Sequence, residues 1–162
     1  MLLFDEADAV FGKRSDVKDA HDRYANVESA YLLQRMETFD GLAILATNLR
    51  ANIDEAFTRR LDVIVDFPMP DAAHRSRLWD QSLGSRVRRA DDLDLEFLGR
   101  SFELAGGAIR AAAVTAAYIA ASERGGVSMR HLVLGVHREY RKLGRLGVER
   151  EFGRYWAEVA GG

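Results

Sequence analysis

Two adjacent carboxylates, Asp5 and Glu6, follow a short apolar run at the start of the sequence. Such a pair just past a buried strand can split roles. One carboxylate holds Mg²⁺ through its waters, because that ion prefers oxygen ligands and sheds water reluctantly. The other aims at an attacking water. A strand end with two solvated acids accounts for the pair equally well. Thr47-Asn48 closes a second apolar run and offers a side chain able to hydrogen-bond a γ-phosphate or a water; an Asx-type turn is the plain alternative. Arg59-Arg60 stands before a third apolar run, at the end opposite the acids and Asn48. That placement suits delivery to a neighbouring subunit's phosphate, where an arginine is worth about 10³–10⁵ in rate; a solvated basic pair is the alternative. Arg110 follows Gly106-Gly107-Ala108-Ile109, in the first turn of a helix expected to begin near Ala108. A cation there opposes the helix dipole at a cost of a few tenths of a kcal/mol. It therefore calls for an anionic partner, either a phosphate or an acid such as Glu103.

The elements that must position these residues come from a chain of 162 residues, enough for one domain or two small subdomains. Apolar residues make up 48%, so a core is within reach. Lys and Arg number 23 against 25 Asp and Glu, a formal charge of −2 that gives no global drive toward nucleic acid or acidic membranes. With no cysteine, disulfide scaffolds, cysteine-based zinc sites and thiol catalysis are excluded. His21, His74, His131 and His137 show no i, i+4 pairing that would suit a metal. No apolar run reaches bilayer length and no signal-peptide pattern opens the sequence, so a cytoplasmic location is the expectation.

Met1–Phe4 reads as a buried parallel strand reaching its carboxyl end. Residues 12–25 are polar and mixed in charge, a surface loop or frayed helix. Asn26 can cap a helix to about Thr38. Leu42–Ala46 is a second strand, Ile53–Phe57 a helical turn or two, and Leu61–Phe67 a third strand stopped by Pro68 and Pro70. Beyond Pro70 the pattern is helical. Helices are predicted over Ala72–Ser82, with Leu78 and Trp79 on the apolar side, and over Leu93–Arg100. A long Ala-rich helix is predicted over Ala108–Arg124, one capped by Ser128 runs to about Leu143, and a short one lies around Phe152–Val159. The chain thus divides into residues 1–70, an α/β part, and residues 71–162, an all-α part.

In their order and spacing these features resemble the AAA+ ATPase family. LLFDEAD looks like a Walker B strand, ILATN like the sensor 1 strand with Asn48 as the sensor, and NIDEAFTRRLDVIVDFPMPD like the second region of homology with Arg59 and Arg60 in the arginine-finger segment. FELAGGAIRAAAVTAAYIAA looks like the sensor 2 helix with Arg110 as the sensor. The resemblance runs from Met1 to about Leu143. It implies an incomplete P-loop NTPase sheet followed by a helical lid. It further implies ATP and Mg²⁺ as cofactors, a ring, a hexamer in the family, as the assembly, and a protein client. By that resemblance Glu6 polarises the attacking water, Asp5 holds Mg²⁺, Asn48 senses the γ-phosphate and Arg110 contacts phosphate from the lid. TRRLD replaces the RPGRFD-type segment of many central AAA members, and GGAIR adds a sensor 2 arginine that many of them lack. The stretch FGKRSDVKDAHDRYANVESAYLLQRME is similar to bacterial AAA ATPases found beside contractile injection particles, and Asp16–Tyr24 falls where the family has its second pore loop.

The family's phosphate loop, GxxxxGK[ST] between a strand and a helix, has no counterpart here. Gly12-Lys13 follows the acid pair, continues into Arg14 and lacks an upstream glycine. By resemblance the strand bearing that loop lies between Leu42–Ala46 and Leu61–Phe67, so both should lose ladder partners, and a gap or altered pairing is expected. Truncation of a longer module is the simplest account, and the chain by itself is expected to hydrolyse no ATP. A non-catalytic interaction module is one alternative. A DNA-handling AAA+ fragment is another, disfavoured because no helix-turn-helix or basic extension accompanies it.

Overall fold

A computed structural model describes residues 1–11, 31–32, 34–36, 38–53 and 55–160. The chain forms two compact units, Met1–Asp66 and Phe67–Gly162. The architecture is mixed α/β at the start and helical thereafter, as the sequence predicts.

In the first unit, β1 (Leu2–Phe4) and β2 (Ala43–Leu45) pair in parallel, with Leu2 opposite Ala43, Leu3 opposite Ile44 and Phe4 opposite Leu45. Leu2 N–H donates to Leu42 O and Ala46 N–H to Phe4 O, both at 2.8 Å. Beyond β1 the chain enters α1 (Ala7–Phe11), whose first residue is fully buried and whose first turn carries Asp8, the sign the helix dipole favours. Ala7 and Ile53 form a small core flanked by Phe4, Val10, Leu32, Met36, Leu45 and Leu61. A 3₁₀ turn at Arg50–Asn52 and the short α2 (Glu55–Thr58) follow β2. Residues 31–32 and 34–36 are helical, in line with the end of the helix expected from Asn26. The rest of that helix and the Asp16–Tyr24 segment lie outside the described residues.

The third strand expected over Leu61–Phe67 does not form. The segment has no regular secondary structure, bends at Asp62 and joins no ladder among the described residues, and Val63, Val65 and Phe67 are 75%, 66% and 93% exposed. A parallel strand is stable only when hydrogen-bonded neighbours and covering layers surround it, and the described part of this unit supplies no neighbour for it. Its carboxyl end is tethered instead by an exposed Arg50–Asp66 ion pair at 3.0 Å.

The second unit is built from α3 (Ala72–Leu83), α4 (Leu95–Ser101), α5 (Gly106–Ser122), α6 (Met129–Lys142), α7 (Glu149–Phe152) and a 3₁₀ turn at Gly153–Glu158. Side-chain caps start three of them. The Asp71 carboxylate accepts the N–H of His74 at 2.8 Å, which holds its pKa below the usual carboxylate value, and Asp94 accepts the N–H of Phe97 at 2.8 Å. At Ser128 the exchange is reversed: its N–H donates to Nδ1 of His131 at 3.0 Å, which leaves the Nε2 proton to bond Glu123 at 2.9 Å. Trp79, Leu98, Phe102, Ile109, Leu132, Val136, Tyr140 and Phe152 meet in one core. Phe102 is edge-on to Phe152 at 4.9 Å and to Tyr140 at 6.1 Å. Helices α5 and α6 approach so closely that a Cβ on Gly135 would stand 2.4 Å from Ala112 O. Arg75, 8% exposed, crosses from α3 to donate to Gly99 O at 2.8 Å and to Pro70 O at 2.5 Å. Its buried charge is thereby hydrogen-bonded to backbone dipoles.

Candidate nucleotide-facing edge

The parallel register decides what the first unit can do chemically. Phe4 lies opposite Leu45, so the residues after each strand leave the sheet at the same carboxyl edge. That edge is where open parallel sheets bind ligands. Asp5 and Glu6 leave β1 there, and Ala46, Thr47 and Asn48 leave β2. Asp5, Glu6 and Asn48 are all exposed.

The turn at Asp5-Glu6 is tight. Oδ1 of Asp5 accepts the N–H of Glu6 at 3.0 Å, and Glu6 has φ of +52°, in the left-handed region that side chains with a Cβ avoid. Ala7 N–H then donates to Ala46 O at 2.9 Å and closes the turn against the β2 side. Across from it, the Thr47 hydroxyl donates to Oδ1 of Asp8 at 2.5 Å and accepts the N–H of Leu49 at 3.0 Å. Asn48 therefore projects from a loop pinned on both sides. Asp8 is the member of this site that sequence reasoning missed. It belongs to the same FDEAD string, but its use depends on Thr47, which is 39 residues away in sequence. No local spacing signals that pair.

The arginines stand elsewhere. Arg59 and Arg60 occupy the turn that closes α2; Arg59 N–H donates to Glu55 O at 3.1 Å and both side chains are exposed. With no strand over Leu61–Phe67, the picture of two arginines at the far end of a sheet strand is replaced by two arginines on an exposed turn. Arg110 belongs to the second unit. Because α5 begins at Gly106 rather than Ala108, Arg110 lies in the second turn, where the dipole penalty inferred for a first-turn cation has largely faded. It is exposed and makes no ion pair among the described residues, so the alternative pairing with Glu103 is not formed.

The donor set fits part of what a Mg²⁺-nucleotide requires. One oxygen of Asp5 is taken by Glu6 N–H, and the other is available to a water-bridged cation. Among the described residues no cluster of three or more His, Asp or Glu could hold an ion unaided. No glycine-rich loop is present in the sequence to cradle phosphates. Among the described residues no helix is long and apolar enough to cross a membrane.

Residues 1–69 match the family described as "ATPase family associated with various cellular activities (AAA)". The 26S proteasome regulatory subunit 4 homolog of Oryza sativa subsp. japonica is 34% identical over 131 residues, 76% of this chain and 29% of that protein. The proteasome-activating nucleotidase of Saccharolobus solfataricus is 31% identical over 146 residues, 85% of this chain and 37% of its own length. A 26S proteasome regulatory subunit 6B homolog of Dictyostelium discoideum is 34% identical over 117 residues, covering 68% of this chain and 29% of that protein. These alignments are too long to fit within residues 1–69, so the likeness reaches into the helical unit. The chain spans 29% to 37% of the length of these three relatives.

Proposed function

We propose that this chain, which belongs to the AAA+ family of ATPases, carries the carboxyl-side half of an ATP-hydrolysing module. The observation behind the reading is the shared carboxyl edge of two in-register parallel strands, bearing Asp5 and Glu6 on one side and Asn48 on the other. ATP with Mg²⁺ is the cofactor. Asp5 would take the ion through water, Glu6 would polarise the attacking water, and Asn48 would bond the γ-phosphate. Arg110 would contact phosphate from the helical lid, residues 71–162; residues 1–70 are the α/β part. Arg59 or Arg60 would act on a neighbouring subunit's nucleotide in a ring, most simply a hexamer. Relatives named for proteasome regulation and activation make a protein the natural client. Remodelling of a protein assembly, with contractile injection particles as the narrower possibility raised by residues 11–37, follows from the same reading.

The phosphate cradle must come from another polypeptide segment bearing a strand, GxxxxGK[ST] and a helix. The purified chain is expected to turn over no ATP, and mixing with such a segment is expected to restore hydrolysis. Glu6→Gln should then abolish turnover while nucleotide binding persists, since the amide cannot accept the water's proton. Hydrolysis that survives Glu6→Gln would refute the assignment of Glu6. Turnover by the chain alone, lost in Glu6→Gln, would refute the need for a second segment. A non-catalytic interaction module is the second reading, favoured by the self-contained core of the helical unit; it predicts co-purification with a partner and no rescue of hydrolysis.

A further inference from the structure

We propose that Asp8 is the positioning residue of this site: through the Thr47 hydroxyl it sets where Asn48 stands with respect to Glu6. The inference rests on the functional reading above and extends it to a residue that neither touches nucleotide nor belongs to the acid pair. Three hydrogen bonds carry it. Ala7 N–H to Ala46 O at 2.9 Å and Thr47 Oγ1 to Asp8 Oδ1 at 2.5 Å join the loops after β1 and β2, and Leu49 N–H to Thr47 Oγ1 at 3.0 Å folds the second loop back on itself. A threonine hydroxyl has one proton. Here that proton goes to Asp8, and a lone pair of the same oxygen receives Leu49 N–H, so the Thr47 rotamer is specified from two directions. Asn48 is the residue between these anchors.

The acceptor is suited to the task. A carboxylate strengthens the hydrogen bond beyond that of a neutral acceptor. Asp8 is partly buried and lies in the first turn of α1, where the helix dipole favours its charge. It also follows Glu6 by two residues, and the left-handed backbone of Glu6 persists only if its surroundings over-determine it. The bonds at Ala7 and Asp8 do so immediately downstream. One tie thus fixes the sensing amide and the catalytic carboxylate together, and a displacement of Asn48 by phosphate would be passed to α1 through the same oxygen.

The tie can be tested on the chain as it stands, by NMR. Asp8→Ala and the nearly isosteric Thr47→Val should each shift the Asn48 side-chain amide and Glu6 backbone resonances, and raise hydrogen exchange at Leu49 N–H. The double variant should add nothing further, and Thr47→Ser should restore the wild-type spectrum. In the assembly completed by the phosphate-binding segment, either single variant should lower kcat about ten- to a hundredfold, as ångström-scale misplacement does, with KM for ATP within about twofold. Should Asp8→Ala fail to fold, Thr47→Val carries the test. Unchanged Asn48 resonances in Thr47→Val, or a kcat loss in the double variant equal to the product of the single losses, would overturn the proposal. If hydrolysis instead survives Glu6→Gln while the Asn48 shifts appear as expected, the functional reading fails and the tie stands.

Discussion

Between Phe67 and Gly162 the large aromatic side chains are mostly inside: Trp79, Phe102, Tyr140 and Phe152 are fully buried and in mutual contact through one core. Between Met1 and Asp66 only Ala7 and Ile53 are buried apolar residues among those described, while Leu3, Val63 and Val65 are 66% to 75% exposed. The two units have similar apolar resources and spend them differently. The helical unit has closed its core through α3, α4, α5 and α6. The α/β unit has built a parallel pair of strands, an arrangement that needs covering on both faces and pairing at both edges. The groups proposed for chemistry on the nucleotide, Asp5, Glu6 and Asn48, stand on the unit that is not closed. The closed core and the groups proposed for chemistry therefore belong to different stretches of the chain, with Arg110 the one proposed contact that comes from the closed side.

The contrast can be broken most forcefully in the helical core. Phe102→Ala removes a ring in edge contact with Phe97, Tyr140 and Phe152, and should destabilise that unit by about 3–5 kcal/mol in urea unfolding. The Asp5, Glu6 and Asn48 resonances should keep their pattern below that transition; a simultaneous loss of both sets would show that the units do not differ in the way described. Gly135→Ala comes next. Its methyl would meet Ala112 O at 2.4 Å, inside any real contact, so α5 and α6 must separate, at a cost of about 1–3 kcal/mol by the same measurement.

A smaller effect is expected at Tyr140. Burial pushes its phenol up to about 12 from the ordinary 10, with the nearby Glu151 carboxylate acting in the same direction. The folded state thus favours the neutral form, and its contribution is intact below pH 10 and lost as pH rises from 10 toward 12. The hydroxyl has no hydrogen-bond partner among the described residues, so Tyr140→Phe should change stability at neutral pH by about 1 kcal/mol or less and flatten the melting temperature above pH 10. A variant that keeps the alkaline decline would place its origin in another group. The smallest effect belongs to the open unit. Val65→Asp, at a side chain already in water, should alter the stability of the chain by about 0.5 kcal/mol or less. It should nevertheless prevent restoration of hydrolysis by the phosphate-binding segment. Full restoration would mean that 61–67 takes no part in completing the sheet.

Much of this architecture could be read from the residues. The helix capped at Ser128 ends within a residue of its expected bound and the helix after Asp71 begins at the expected Ala72, whereas the one expected from Leu93 begins at Leu95, capped by Asp94. The strands ending at Phe4 and Leu45 were legible as apolar runs meeting polar residues, but the burial expected of Met1–Phe4 is not found: Leu2 and Leu3 are 39% and 66% exposed, because the described residues supply no layer to cover them. The misreadings share a cause. The long helix is expected from Ala108, after Gly106-Gly107, but with Leu104 and Ile109 buried on either side the two glycines form its first turn. Leu61–Phe67 has the composition of a strand, and composition cannot supply the neighbour a strand must pair with. Asp8 carries no signal of its own in the sequence, and only the folded register shows Thr47 beside it.

The stretch before Pro68 has a further consequence, for handling. Val63-Ile64-Val65 is an exposed β-branched run with no ladder partner among the described residues, the kind of segment on which a second copy can stack. Asp62 and Asp66 flank it and Pro68 and Pro70 end it, which is how sequences commonly blunt such templates. One of those guards is already half-neutralised, since Asp66 is paired with Arg50. Self-association of this chain on concentration is expected to begin at this tripeptide rather than in its core.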